Sequence, residues 1–475
     1  MVKSMTFEKL ERIFMKTVAF HTLGCKVNTY ETEAMQQLME AAGYRCVDFS
    51  EKADVYIINT CSVTNIADRK SRQMLHRARK MNEDAIVVAA GCYVESAKEK
   101  IDEDLSIDII VGNNNKNEIV NIINEYLQDK NENRFIIDIN KNTEYEEFNI
   151  SKINDHTRAF IKVQDGCNQF CSYCIIPFTR GRVRSRKMEN IIEEVKKLAS
   201  SGYKEVVLTG IHLSSYGVDF LDESYNKRME LLTQTEESDE EFVTKNELLN
   251  LIENIAKVDG IERIRIGSLE PRIIKEGFIK SLSEINKFCP HFHLSLQSGC
   301  DKTLKSMNRK YTASEFYEGV ELIRKYFDSP AITTDIIVGF PGESERDFEE
   351  SKAFVEKVKF YETHIFPYSV REGTKAAHMP QVDGNEKAKR ANILNEINLA
   401  NQREFRSQRI TKVDEVLCEE TFTVDGKEYY TGYTKEYVKI AVLKEGLNTN
   451  DIIKGKVVEF LTDDILLMEK EQNSV

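Results

Sequence analysis

Short apolar runs alternate with helical stretches along most of this chain, and that alternation constrains its fold more than any other feature. In the first region the runs are "KTVAFHTL" (16–23), "ADVYIINT" (53–60), "AIVVAAG" (85–91) and "SIDIIVG" (106–112). Between the first two lies "TYETEAMQQLMEAAGY" (29–44), whose apolar spacing predicts a helix closed at Gly43. Strand and helix in alternation give right-handed βαβ units and a parallel sheet. This first α/β domain is expected over 16–130, followed by a polar linker holding one short strand. From 150 to 402 the alternation repeats, with "RAFIKVQ", "EVVLTG", "RIRIGSL", "FHLSLQ", "ITTDIIVG" and "ETHIFPY" as candidate strands. Six such units suit a partial (β/α)6 barrel. After a long helical run, residues 405–475 carry only short β-like runs and turns, which predicts a small all-β domain.

At 475 residues the chain is too long for one ordinary core. No run of about 18 apolar residues occurs, so no membrane span is expected. The N-terminal stretch lacks a long apolar core and a small-residue cleavage site, and its first fourteen residues read as an extension; a cytoplasmic location is expected. The acidic stretch "TQTEESDEE", within 217–248, reads as a solvated insertion in a loop. The net charge of −13 opposes whole-surface attraction to nucleic acid, so an RNA partner would need local basic patches.

Ten cysteines in an intracellular-type chain point to metal or redox work rather than disulfides. Three stand together in "CNQFCSYC": Cys167, Cys171 and Cys174, in a loop just after a candidate strand. Zinc would want a fourth Cys or His nearby. None lies in the loop. A [4Fe–4S] cluster on three cysteines leaves one iron open. S-adenosylmethionine offers the amine and carboxylate to fill it, and its reductive cleavage gives a carbon radical. The bland alternative is three buried cysteines without metal. This motif, including Tyr173 before its last cysteine, resembles that of the radical S-adenosylmethionine superfamily. The resemblance implies nucleoside contacts at downstream strand ends, with Gly210, Ser268, Glu270 and Gln297 as candidates beside Tyr173. Ligands of parallel sheets sit beyond the carboxyl ends of the strands, where these residues are expected.

A second set lies in the first domain: Cys25 in "TLGCKVN", Cys61 in "INTCSVTN" and Cys92 in "AAGCYVE". Each follows a candidate strand end, so a parallel sheet would bring all three to one edge. Cys46, Cys289, Cys300 and Cys418 show no such pattern and read as structural. Two three-cysteine sets, an α/β domain before the radical domain and a β domain after it resemble the methylthiotransferase family. The stretch "HTLGCKVNTYETE" is similar to the branch acting on N6-threonylcarbamoyladenosine in tRNA.

The resemblance implies two [4Fe–4S] clusters with S-adenosylmethionine, one cluster generating the radical and the other supplying sulfur. The product would be a methylthio group at C2 of the base at position 37. It also implies an RNA-binding TRAM-like β domain, a tRNA anticodon loop as partner, a reducing electron-donor protein and a sulfur source. An unactivated aromatic C–H is not acidic, which suits a radical route. The base must leave its stack to reach a buried site, which favours a single-stranded loop. Arg180, Arg182, Arg184 and Arg186 follow the cysteine loop and are expected to meet phosphate. A second basic stretch, 69–80, reads more readily as a solvated helix face. Rival readings are the same chemistry on isopentenyladenosine or on a ribosomal protein aspartate, and a non-catalytic iron–sulfur carrier or RNA-binding protein.

Overall fold

The structure is a computed structural model that describes residues 16–97, 99–141, 144–148, 157–220 and 239–471. The N-terminal extension lies outside the described residues, and so does 221–238, which carries most of the acidic insertion. The chain divides into two compact units. The first comprises the described residues before 149 together with Asp165–Arg184 and Ser369–Thr374; the second comprises 157 to Gln164, Ser185–Tyr368 and everything from Lys375 on.

The first unit is built on strands β1 (Thr17–Thr22), β2 (Arg45–Val47), β3 (Val55–Thr60), β4 (Ile86–Gly91), β5 (Ile109–Val111) and β6 (Arg134–Phe135). They form one parallel sheet in the order β2-β1-β3-β4-β5-β6. The four expected strands are present, and β6 is the short strand expected in the linker. The three-residue β2 has no sequence signal strong enough to find. Helices α1 (Lys26–Ala41), α2 (Asn65–Met81), α3 (Cys92–Ala97) and α4 (Ile119–Gln128) cover both faces. Strand periodicity assigns the cores: Val55 and Ile57 pack with Met35 and Met39 of α1 and with Ile119, Ile122 and Ile123. Tyr56 and Ile58 pack on the opposite face with Leu75 and Ala78 of α2 and with Tyr93. Every residue of β3 is buried, as a central parallel strand requires.

The second unit carries β7 (Arg158–Asp165), β8 (Arg184–Ser185), β9 (Glu205–Gly210), β10 (Arg263–Ile266), β11 (His291–Gln297), β12 (Ala331–Val338) and β13 (Glu362–Pro367). The sheets β10-β9-β7-β8 and β11-β12-β13 are joined by bridges at Ile264–Phe288 and Leu269–Leu294. The result is a run of six parallel strands, β7-β9-β10-β11-β12-β13, at the places where sequence expected them: a partial (β/α)6 barrel. The C-terminal strands β14 (Val413–Val424), β15 (Lys427–Tyr433), β16 (Lys439–Leu443), β17 (Ile452–Phe460) and β18 (Leu466–Lys470) close into a barrel. Two buried arginines of β10 bind it. Arg263 donates to the Tyr433 carbonyl at 2.8 Å and pairs with Glu415 at 2.8 Å. Arg265 donates to the Lys435 and Thr434 carbonyls at 2.8 and 3.1 Å while holding Glu205 at 2.9 Å.

Candidate functional site

All six cysteines of the two sets fall in the first unit. Strands β1, β3 and β4 are adjacent and in register, with Thr22 beside Asn59 and Thr60 beside Gly91. The chain leaves each at the same edge, so Cys25, Cys61 and Cys92 arrive there together. Gly24 shows how tightly: its φ is +107°, and a Cβ there would lie 2.9 Å from the Cys61 Sγ. Cys61 is buried, and burial pushes its thiol up to about 12, with Cys92 and Cys25 pushing the same way. Burial raises the Cys25 thiol as well, so both Cys25 and Cys61 favour the protonated form unless a cationic centre takes the protons' place.

Buried amides hold the edge. The Asn28 Nδ2 donates to the Leu23 carbonyl at 2.6 Å and to the Thr60 carbonyl at 3.0 Å, tying the ends of β1 and β3. Asn113 Nδ2 donates to the Thr179 carbonyl at 2.8 Å and lies 3.7 Å from the Cys92 Sγ. Arg371, nearly buried, donates to Ser62 beside Cys61 at 2.7 Å and to Asp68 at 2.8 Å.

Cys167, Cys171 and Cys174 sit in a loop that starts where β7 ends. Gly166 has φ +70°, and a Cβ there would run into the Arg182 carbonyl, so only glycine closes the loop. Cys167 N–H donates to the Gly181 carbonyl at 3.1 Å and Cys174 N–H to the Cys171 carbonyl at 3.0 Å. Gln169 N–H points at the Cys167 Sγ at 3.5 Å. Phe170 takes a left-handed φ of 50° between the first two cysteines, as tight wrapping of a short loop demands. Cys171 is buried, whereas Cys167 and Cys174 are part-exposed.

Arg180 lies at the heart of this unit, fully buried. Its Nη1 donates to Glu31 at 2.9 Å and to Asp165 at 3.1 Å, and its Nη2 to Asn28 at 2.6 Å. Lys116, also buried, pairs with the same Glu31. Burial opposes the Arg180 charge, but Glu31 and Asp165 help hold its pKa well above the usual arginine value. Its Nε finds no hydrogen-bond partner among the described residues. A buried cation with an unused donor beside three thiols suits an anionic iron–sulfur cluster; the donor set, all soft sulfur with no His among it, suits the same group.

Burial of Arg180, Arg184 and Arg186 sets three of the four arginines apart from the phosphate role expected of them. Arg184 is likewise buried, 3.6 Å from Asp165, and Arg186 is buried against Glu194 at 2.6 Å. Only Arg182 is exposed, its guanidinium 4.5 Å over the Phe170 ring. The run "TRGRVRSR" is basic throughout, yet Arg180, Arg184 and Arg186 turn inward, to Glu31, Asp165 and Glu194. Conversely, Arg69, Lys70, Arg72 and Arg77 of α2 are exposed, so the stretch that reads as the weaker candidate is the one that presents a basic face.

Beside these loops lies a cavity of about 690 Å³ lined by Glu95, Arg134, Ile139, Ile175, Phe178 and Gly373, among others, all within the first unit. Burial raises the Glu95 carboxyl to about 7, against the Asn113 N–H it accepts at 2.8 Å.

In the second unit the expected nucleoside contacts lie at neighbouring strand ends. Gly210 closes β9, Ser268 is exposed after β10, and Gln297 ends β11 with a strained φ of 69°. Glu270 accepts 2.7 Å from Arg272, so its carboxylate already has an internal cation. Tyr173 belongs to the first unit. His212 follows β9; burial lowers its pKa to about 4, and its Nδ1 meets Ser215 Oγ at 2.6 Å. Asn28, Glu31, Asn113, Asp165 and Arg371 had no sequence signal as site residues, since the partners that bring them to the site are mostly distant in sequence.

Two clustered cysteine sets on parallel α/β scaffolds define a double iron–sulfur class of protein. Comparison with known proteins narrows this. The family model described as "Uncharacterized protein family UPF0004" matches residues 17–112 and spans Cys25, Cys61 and Cys92; that of the Radical SAM superfamily matches 161–355 and spans Cys167, Cys171 and Cys174. The chain is 41% identical over 447 residues to the threonylcarbamoyladenosine tRNA methylthiotransferase MtaB of Bacillus subtilis (strain 168), covering 94% of this chain and 93% of that protein. It is 39% identical to the MtaB of Aquifex aeolicus (strain VF5), covering 82% and 89%. It is 38% identical to a tRNA-2-methylthio-N(6)-dimethylallyladenosine synthase of Thermoanaerobacter sp. (strain X514), covering 85% and 83%. The chain belongs to the tRNA methylthiotransferase family of radical SAM enzymes.

Proposed function

We propose that this protein inserts a methylthio group at C2 of N6-threonylcarbamoyladenosine at position 37 of tRNA, 3′ of the anticodon. The observation that carries the reading is the convergence of Cys25, Cys61 and Cys92 at one sheet edge, in the unit that also holds Cys167, Cys171 and Cys174. Each set holds a [4Fe–4S] cluster. When bound, the clusters and S-adenosylmethionine supply the radical and sulfur-transfer chemistry that no protein side chain offers.

The chain's own residues prepare that chemistry. Asn28 and Asn113 fix the loops from which Cys25 and Cys92 project. Arg180 balances thiolate charge in a buried setting where an unpaired anion would be costly. Gly166 lets the 167–174 loop close. Gly210, Ser268 and Gln297, at strand ends of the second unit, are residues we assign to S-adenosylmethionine; Glu270 acts there through Arg272. A cavity near 690 Å³ is large enough for a flipped nucleoside, and Glu95 in its wall is poised to change charge near neutral pH. The exposed face of α2 and Arg182 would meet the anticodon-loop backbone. The closed C-terminal barrel is assigned as the TRAM-like RNA-binding domain of 405–475, after the α/β domain of 16–130 and the radical core of 150–402. A reducing donor protein and a sulfur source complete the partners in the cytoplasm.

Relatives named for dimethylallyladenosine favour a second reading with the same chemistry on that base. Nucleosides from tRNA of a strain lacking the gene, compared with its parent, separate the two. Loss of methylthio-threonylcarbamoyladenosine supports the first. Its persistence together with loss of the isopentenyl product would move the assignment. In vitro, Cys61→Ala should abolish sulfur insertion while some reductive cleavage of S-adenosylmethionine remains; full product from that variant would refute the second cluster.

A further inference from the structure

Three adjacent parallel strands of the second unit carry His293 on β11, Asp335 on β12 and His364 on β13. Register places them. Asp335 pairs directly with His364, and His293 pairs with Thr333, two residues before Asp335 on the same face. The alternate residues Ile332, Thr334 and Ile336 are buried within the packing, whereas Asp335 is part-exposed and His364 exposed. The side that bears the triad is therefore reachable from solvent.

One nitrogen from each histidine and one carboxylate oxygen all lie within 4.8 Å of one another. The His293 Nε2 is 3.2 Å from the Asp335 Oδ2, and the two imidazole rings are 5.6 Å apart between centroids. The other nitrogen of His293, Nδ1, is 2.9 Å from the Thr333 hydroxyl. A hydroxyl there fixes the ring's orientation and leaves Nε2 as the nitrogen aimed at the shared point. That is the support a ligating imidazole ordinarily receives from its surroundings.

We propose that His293, Asp335 and His364 form a mononuclear site for a divalent first-row transition cation, such as zinc or ferrous iron. Two imidazoles and a carboxylate suit either metal and leave coordination positions open to water or an oxygen ligand. A cation at the shared point would draw His293 Nε2, the Asp335 carboxylate and a His364 nitrogen together. None of the three residues is a cysteine, so the site is chemically separable from both cluster-binding sets.

The test uses the anaerobically reconstituted full-length holoenzyme, equilibrated with zinc and measured for bound metal and by zinc-edge X-ray absorption. The expected result is one zinc beyond the cluster iron, with nitrogen and oxygen neighbours at about 2.0–2.1 Å. His364→Ala, an exposed substitution, should lose this zinc while iron content and circular dichroism stay as in the parent. Thr333→Val should weaken zinc by roughly ten- to a hundredfold, as loss of a ligand's supporting hydrogen bond does. Sulfur neighbours at about 2.3 Å would mean zinc in an empty cysteine set and would overturn the proposal. So would the absence of bound zinc, or parental binding by His364→Ala.

Discussion

Arg180 shows what a single residue contributes in this protein. It bridges Glu31, Asp165 and Asn28, with no access to solvent. Removing one partner of a buried ion pair leaves uncompensated charge and costs about 3–5 kcal/mol. Arg180→Gln should therefore lower the melting temperature by several degrees and reduce iron retained at Cys25, Cys61 and Cys92, both read on the reconstituted protein. A melt within error of the parent would show that the network adds no stability. Gly166→Ala faces both a left-handed φ and the Arg182 carbonyl. It should lose roughly half of the reconstituted iron, one cluster of two, with S-adenosylmethionine cleavage abolished. His212 gives a pH signature. Its folded pKa, about 4, lies below its ordinary value because burial disfavours the charged ring. Unfolded protein therefore binds the proton first as pH falls. Stability should drop between about pH 6.5 and 4, by at most about 3 kcal/mol from this group. His212→Gln should flatten that part of a denaturation-against-pH curve.

At the scale of elements, the strands were legible because parallel strands buried on both faces read as continuous apolar runs. β3 and β4 are examples, and every expected core strand is present. The convergence of Cys25, Cys61 and Cys92 was legible for the same reason, since strand ends of one parallel sheet share an edge. What sequence could not reveal was the direction of arginines in "TRGRVRSR". Their partners Glu31, Asp165 and Glu194 lie at other points of the chain, and a local basic run looks alike whether it faces phosphate or a buried carboxylate. The exposed cations of α2 become the better RNA-binding candidates. Arg69→Gln with Lys70→Gln should weaken tRNA binding uniformly across sequences. The slope of log affinity against log salt should shrink by roughly one for each phosphate no longer neutralised, as titrations at several salt concentrations would show. An unchanged slope would remove α2 from the interface.

At the scale of the whole molecule, the C-terminal barrel is more than an appendage within its unit. Arg263 and Arg265 are buried and commit their donors to Tyr433, Thr434, Lys435 and Glu415. Ending the chain at residue 411 would remove those acceptors and leave Glu205 as the one carboxylate among the described residues facing two buried cations, so the truncated protein should be insoluble or melt well below the full chain, measured by calorimetry. Continuity of the chain matters in another respect. The first unit is assembled from three separate segments, the last of them Ser369–Thr374. Arg371 reaches Ser62, 309 positions earlier. On a ribosome adding about 5–20 residues per second, the stretch from Arg184 to Ser369 takes on the order of ten to forty seconds to emerge. For that interval the six cysteines exist without the strap that closes their unit. A nascent chain thus offers a period of access before folding is complete, when metal and sulfide could be loaded, and also when wrong metals or oxygen could reach the thiols. The order of synthesis, as much as the finished geometry, bears on how cleanly the clusters are installed.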